Sequence, residues 1–293
     1  SLIWAFSFGL IKHKLVAVGM DPLLVAFVRL SLSLLVFLPF LQWRRLREGW
    51  VPRLVGIGAV QYGLMYVSYL YAYLYLESHE VALFTIFTPI FVAAIHDGYA
   101  RRFHPRYMLA AVLAVAGTAI VVWSRADLRS GLIGIALMQV SNASFAWGQV
   151  RYRHIMRTLP AVADHQVFAL LYFGGVLTAA LPLAFGVEWA AVRVSGEQLL
   201  TLLYLGVIPS GLGFYLWNSG ARRTNAGTLA ALNNAKVPLA VACSLIVFNE
   251  SATLWRLAAG GLVILGATLL AEHGRRGWRT GQRAEEPRKE AQP

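Results

Sequence analysis

Ten apolar stretches, separated by short polar breaks, account for most of the 293 residues. They cover Leu2–Val18, Pro22–Leu41, Leu54–Tyr75, Val81–Ile95, Tyr107–Trp123, Leu132–Gln149, Gln166–Phe185, Leu199–Trp217, Ala226–Phe248 and Leu254–Ala271. A helix crosses a bilayer with about 20 mostly apolar residues, fewer where flanking side chains reach back to the interface. Each stretch therefore predicts one membrane-spanning helix. The breaks hold turn formers and charges, as in Met20-Asp21-Pro22, Gln42-Trp43-Arg44-Arg45, His96-Asp97-Gly98 and Asn249-Glu250-Ser251. Residues 274–293 are polar, of mixed charge and without apolar periodicity, which predicts a disordered tail.

The sequence also repeats. Pro89 lies in Thr85-Ile86-Phe87-Thr88-Pro89-Ile90-Phe91 and Pro238 in Asn233-Asn234-Ala235-Lys236-Val237-Pro238, 149 residues apart. Gly117 in Ala116-Gly117-Thr118-Ala119 and Gly266 in Leu265-Gly266-Ala267-Thr268 are separated by the same 149. Gly58, Gly63 and Tyr66 align with Gly206, Gly211 and Phe214 at a spacing of 148. Five spans per half is an odd number, so two joined halves enter the membrane from opposite sides, as inverted repeats do. The expected fold is all-α and integral to the membrane. It has ten transmembrane helices as two inverted five-helix repeats, residues 1–124 and 125–273, followed by the tail.

Composition supports this. The chain is 58% hydrophobic and 14% charged, against about 45–50% and 25% in soluble domains. The net charge of +12 would suggest nucleic acid in a soluble protein. Here Lys and Arg are confined almost entirely to connectors. Of the 26, 18 fall in the even-numbered connectors and the tail, 6 on the opposite side, and Arg29 and Lys236 within spans. That bias places both termini in the cytoplasm and removes the case for nucleic acid. Cys243 is the single cysteine, so a disulfide or zinc framework is excluded. The chain opens on Ser1 inside an apolar run, so a short N-terminal piece is expected to precede it.

Ten spans in two halves, Trp4 in the first span, and the segments Gly213-Phe214-Tyr215-Leu216-Trp217-Asn218-Ser219-Gly220-Ala221, Asn225-Ala226-Gly227-Thr228-Leu229-Ala230 and Asn249-Glu250-Ser251-Ala252-Thr253-Leu254-Trp255 resemble the drug/metabolite transporter superfamily, EamA type. The resemblance covers all but the tail. Within the superfamily the chain is similar to the carboxylate, amino-acid and amine exporters, including those that release aromatic amino acids. It implies a multi-pass carrier of the bacterial inner membrane that moves small metabolites outward by alternating access.

Polar side chains inside spans are the candidates for substrate contact. Lys236 lies near mid-span, where a charge costs at least about 2.5–3.5 kcal/mol. It either faces a wet cavity and meets a substrate carboxylate or pairs locally with a carbonyl or Asn. Asn233 and Asn234 lie less than a turn before it. Pro89 and Pro238 each remove a backbone hydrogen bond, which either bends two gating helices or only shapes packing. Tyr62, Tyr66 and Tyr69 continue to Tyr73 in steps of four, three and four, one helical stripe suited to an aromatic or amphipathic ligand or to helix packing. Trp4, Ser7, Trp147, Trp217 and Asn218 are further candidates for the cavity wall. Asn142, Ser144 and Gln149 belong to the same class.

His79 and Glu80, with Glu77, cluster between the third and fourth spans and are candidates for proton coupling. One of Arg29, Lys12 and Lys14 is expected to form an ion pair with Asp21 at the outer rim. The fifth and tenth spans carry small residues and are expected to pack closely, with a homodimer contact as one use. No paired carboxylates, His-x-x-His spacing or phosphate loop is present, so the chain is not expected to be an enzyme, to need a cofactor or to hold a metal. The expected function is secondary export of small amphipathic metabolites, most simply amino acids including aromatic ones. A carrier for a vitamin, nucleotide sugar or drug-like cation is the alternative, and a membrane-embedded enzyme a more distant one.

Overall fold

The structure is a computed structural model that describes residues 2–46, 49–99, 128–158, 162–187, 192–223, 237–250 and 253–267, with single positions between 109 and 120 and residues 269–270. Every regular element among the described residues is helical. Helix α1 (Leu2–Leu10) continues as a wide π turn over Ile11–Val16. Helix α2 (Pro22–Phe37) starts on Asp21, whose carboxylate accepts from the amides of Leu23 at 2.7 Å and Leu24 at 3.2 Å. Asp21 thus supplies an N-cap with Pro in the first position rather than the rim ion pair expected for it.

The third span is continuous but not uniform. Helix α3 (Trp50–Gly58) passes through a π segment, Ala59–Leu64, into α4 (Met65–Ala72). The fourth is α5 (Ser78–Phe84), a tight 3₁₀ turn over Thr85–Phe87, then α6 (Thr88–Tyr99). The tight turn follows from Pro89. In an α-helix residue 89 would donate to the Thr85 carbonyl, and proline cannot. Thr88 donates to Thr85 instead.

Helix α7 (Leu128–Thr158) has 31 residues, far beyond the expected Leu132–Gln149. Its extension carries Arg151, Arg153 and Arg157. Hydropathy marks where the bilayer ends, not where the helix does. The rest are α8 (Phe168–Gly186), α9 (Gly196–Leu205), a second long π segment over Gly206–Gly213, α10 (Phe214–Arg223), α11 (Val237–Ile246) and α12 (Leu254–Ala267).

The two π segments occupy the aligned positions of the third and eighth spans, so the repeat seen in Gly58, Gly63 and Tyr66 is also a repeat of backbone form. Glycines let the helices close. A Cβ on Gly58 would lie 1.9 Å from the Leu171 carbonyl oxygen, and one on Gly174 2.0 Å from that of Val55, so α3 and α8 meet backbone to backbone. A Cβ on Gly206 would strike Leu32 at 2.6 Å, bringing the eighth span onto the second. At Gly117 a Cβ would lie 2.8 Å from the Gly260 carbonyl, so the small-residue faces of the fifth and tenth spans meet within the chain.

Among the described residues three helical runs, Pro22–Phe40, Phe168–Phe185 and Gly196–Ala221, are long and apolar enough to cross a membrane. Large apolar side chains such as Leu35, Leu181, Phe185, Leu200 and Ile246 point outward, while polar ones such as Ser33, Gln61, Asn142 and Ser210 are buried inside. This inverted distribution is that of a multi-pass membrane protein.

Candidate substrate cavity

The π segment Gly206–Gly213 leads into Phe214 and Trp217, which line a cavity. Pro209 cannot donate to the Leu205 carbonyl, and Ser210 does so with its own hydroxyl at 2.6 Å. The widened turn leaves further carbonyls without helical partners, and side chains capture them. Trp4 Nε1 donates to Pro209 O at 3.0 Å. Ser33 Oγ donates to Gly206 O at 2.8 Å. The Tyr172 hydroxyl donates to Ser210 O at 2.5 Å and to Gly211 O at 3.0 Å. The first, second and seventh spans are thereby pinned to one irregular stretch of the eighth.

Ser210 also holds the cation expected at the rim. Arg29 is 3% exposed. Its Nε donates to Ser210 Oγ at 3.1 Å and its Nη2 to the Tyr66 hydroxyl at 3.3 Å. The guanidinium carbon lies 4.9 Å from the Tyr66 ring centroid, a cation–π contact. Tyr66 in turn donates to Ser210 at 2.7 Å. Nη1 of Arg29 is buried and has no hydrogen-bond partner among the described residues.

These groups border a cavity of about 80 Å³ between elements of the two halves. Arg29, Tyr66, Tyr69, Trp4 and Ser7 line it from the first half. Ser141, Asn142, Phe145, Phe214 and Trp217 line it from the second. Trp4 packs on Phe214 at 5.3 Å and edge-on to Trp217 at 5.6 Å, ring centre to centre. Asn142 bridges the halves: its amide donates to Phe84 O at 2.9 Å and its carbonyl accepts from Thr88 at 3.1 Å. Trp217 Nε1, like Arg29 Nη1, is a buried donor with no partner.

Of the residues expected from sequence, Trp4, Ser7, Tyr66, Tyr69 and Trp217 reach the cavity. Ser7 spends its hydroxyl on the carbonyls of Ile3 and Trp4. Tyr62, Asn218 and Trp147 are not in its wall. Tyr62 stacks on Tyr172 at 5.0 Å and accepts from Asn218 at 2.9 Å, and Asn218 accepts from Gln61 at 3.3 Å. This is interhelical packing. The tyrosine stripe is thus divided: its middle faces the cavity and its ends are core.

Pro89 is half-buried, one residue into α6, and Pro238 is exposed in α11. Lys236, Asn233 and Asn234 lie outside the described residues. Arg29, Ser141, Phe145 and Phe214 are wall residues that the sequence did not mark as such. Arg29 carried a signal, since it lies eight residues into an apolar span just as Lys236 lies deep in another.

At one end of the bundle the end of the first span and the third and ninth connectors meet in a second cluster. Glu250 is nearly buried, with its side chain 3% exposed. It accepts from His79 Nδ1 at 2.6 Å, His13 Nε2 at 2.9 Å, and the backbone amides of Ser78 and His79, both at 3.1 Å. The Ser78 hydroxyl also donates to it and contacts Ser244. Those amides belong to the first turn of α5, where they have no helical partner. Burial pushes the Glu250 carboxyl up, but the hydrogen bonds from His79, Ser78 and His13 outweigh it and hold the group at about 2.

His79 therefore pairs with Glu250, not with Glu80, whose carboxylate accepts from the Glu77 amide at 2.9 Å. The cluster is buried, not an exposed loop. Lys12 pairs with Glu77 at 3.4 Å and Lys14 with Glu197 at 2.7 Å, so neither pairs with Asp21. Asn249 adopts φ 51°, a left-handed turn that Asn tolerates, and this brings Glu250 back toward α5.

A bundle of apolar helices around a cavity of aromatic and polar side chains between two halves is the arrangement of a membrane carrier for small molecules. The chain matches the EamA-like transporter family over residues 1–123 and 132–271, and it belongs to that family. It is 38% identical over 280 residues to a probable biotin transporter of Pseudomonas aeruginosa, covering 94% of this chain and 96% of that one. It is 35% identical over 268 residues to a biotin transporter of Salmonella typhimurium, covering 91% and 89%. To the aromatic amino acid exporter YddG of Ancylobacter novellus it is 26% identical over 237 residues, covering 77% and 78%. A solved crystal structure shares the fold with a TM-score of 0.64 at 18% identity, covering 92% of this chain and 94% of that chain.

Proposed function

We propose that this protein is a secondary carrier for biotin or a close chemical relative of it, working by alternating access around the cavity between its halves. The observation that carries the reading is a cavity whose wall combines packed aromatic rings with buried hydrogen-bond donors, in a chain more than one-third identical to biotin transporters over nine-tenths of its length. Biotin joins an apolar chain and sulfur ring to a cyclic urea and a carboxylate. It therefore needs apolar walls and a few placed donors. Amino-acid export has weaker support, from a relative at 26% identity. The Glu250 cluster would close one side of the cavity, and Glu250 with His79 is the pair to test for proton coupling.

Counterflow in proteoliposomes tests this. Vesicles loaded with unlabelled biotin should accumulate tritiated biotin transiently and saturably, and vesicles loaded with phenylalanine should not. Phenylalanine counterflow without biotin counterflow would restore the amino-acid reading; neither would remove both.

A further inference from the structure

Arg29 poses an unsolved charge problem. It sits eight residues into a 16-residue apolar helix, where a cation is costly. The four ion pairs among the described residues use Lys12, His13, Lys14 and His79, and Arg29 is in none. Its polar partners, Ser210 and Tyr66, are neutral. A buried charge without a counter-charge is strongly destabilising, yet the surroundings fix this one in place. Ser210 is held by Leu205 O, Tyr66 is held by Ser210, and the Tyr66 ring covers the guanidinium. One edge of the fork is thus locked, Arg29 lines the cavity, and its remaining nitrogen, Nη1, is buried with nothing to donate to among the described residues. A planar guanidinium with an unused N–H pair is a receptor for carboxylate oxygens.

We infer that Arg29 Nη1 is the subsite for a substrate carboxylate, and that this protein selects ligands with a free anionic end. The inference rests on the proposed carrier function and names the part of the cavity that reads the ligand's charge. Trp217 Nε1, the other orphan donor in the wall, complements a neutral acceptor on the same ligand. The carboxylate supplies the counter-charge that the cavity wall lacks, so substrate binding and neutralisation of the second span are one event. Transport of the neutral amide or alcohol of the same molecule would leave Arg29 unmatched.

Competition binding to the purified protein tests the assignment with ligands that differ only at one end: biotin, biotinamide and biotinol. Wild type should prefer biotin about 10- to 100-fold over both, the worth of a charge-assisted hydrogen bond. Arg29→Gln should lose biotin affinity to the level of biotinamide while leaving biotinamide affinity unchanged, and Arg29→Lys should restore part of the preference. Equal binding of acid and amide by wild type overturns the inference even if every variant fails to fold. So does a preference that survives in Arg29→Gln. If wild type binds phenylalanine and not biotin, the carrier reading fails alone, and the pair phenylalanine and phenylalaninamide decides Arg29 by the same criterion. If it binds none of these, both fail.

Discussion

A methyl group at Gly58 would sit 1.9 Å from the carbonyl oxygen of Leu171, with backbone on both sides and nothing free to move aside. Two residues earlier on the same helix, Gly56 has no neighbour within 4 Å. Gly58→Ala should therefore destabilise the protein by about 1–3 kcal/mol or more, while Gly56→Ala should be neutral or stabilising by up to about 1 kcal/mol through helix propensity. Thermal unfolding in detergent separates the two, and similar losses would refute the backbone contact between α3 and α8. The sequence shows both as glycines in an apolar run and cannot say which touches another helix. Arg29 teaches the same lesson. Its depth was legible from its position after Pro22, but its partners, Ser210 and Tyr66, lie 181 and 37 residues away in sequence.

Helix α5 begins at Ser78 with its first amides aimed at Glu250, a residue 172 positions along the chain. The interaction joins a helix terminus of one half to the ninth connector of the other, and the helix dipole favours the charged carboxylate there. Glu250 is held at about 2, against an ordinary 4.5. A carboxyl held low stabilises the fold when ionised. That contribution is full above about 4.5 and is lost as pH falls through about 2. Wild type should therefore unfold at a higher temperature than Glu250→Ala at pH 5, by the equivalent of about 3 kcal/mol for a broken buried pair. The gap should narrow progressively below pH 4.5. A gap unchanged between pH 5 and pH 3 would show that the Glu250 charge contributes nothing.

The turn at Asn249-Glu250 was legible as a break between spans. That His13, Ser78 and His79 converge on it was not, because no local pattern links three connectors. Both prolines that shape helices here, Pro89 and Pro209, act by the same rule, each removing one donor. Sequence reasoning singled out Pro89 and passed over Pro209, because only Pro89 had a repeat partner at the spacing it was reading.

The proposed closure by the Glu250 cluster predicts a cavity that is reached from the opposite side only. A cysteine at Ser141, which lines the cavity, reports on this once Cys243 is replaced by Ser. In Ser141→Cys, a membrane-impermeant thiol reagent should react chiefly from the opposite side, and biotin should slow the reaction. Adding Glu250→Ala should raise labelling from the sealed side. Labelling that is equal from both sides, and indifferent to Glu250, would remove the cluster as a closure.

The sequence by itself determined that this protein lives in a bilayer and that its halves repeat, and its motifs resemble those of a family of small-molecule carriers. The first two rest on hydropathy, spacing and charge bias, which are additive along a chain. Which charge faces the cavity, which tyrosines are wall and which are core, and which acid closes the bundle were decided only by the tertiary structure. A buried polar group is defined by the partner it finds, and in a bundle of helices that partner usually comes from a distant span.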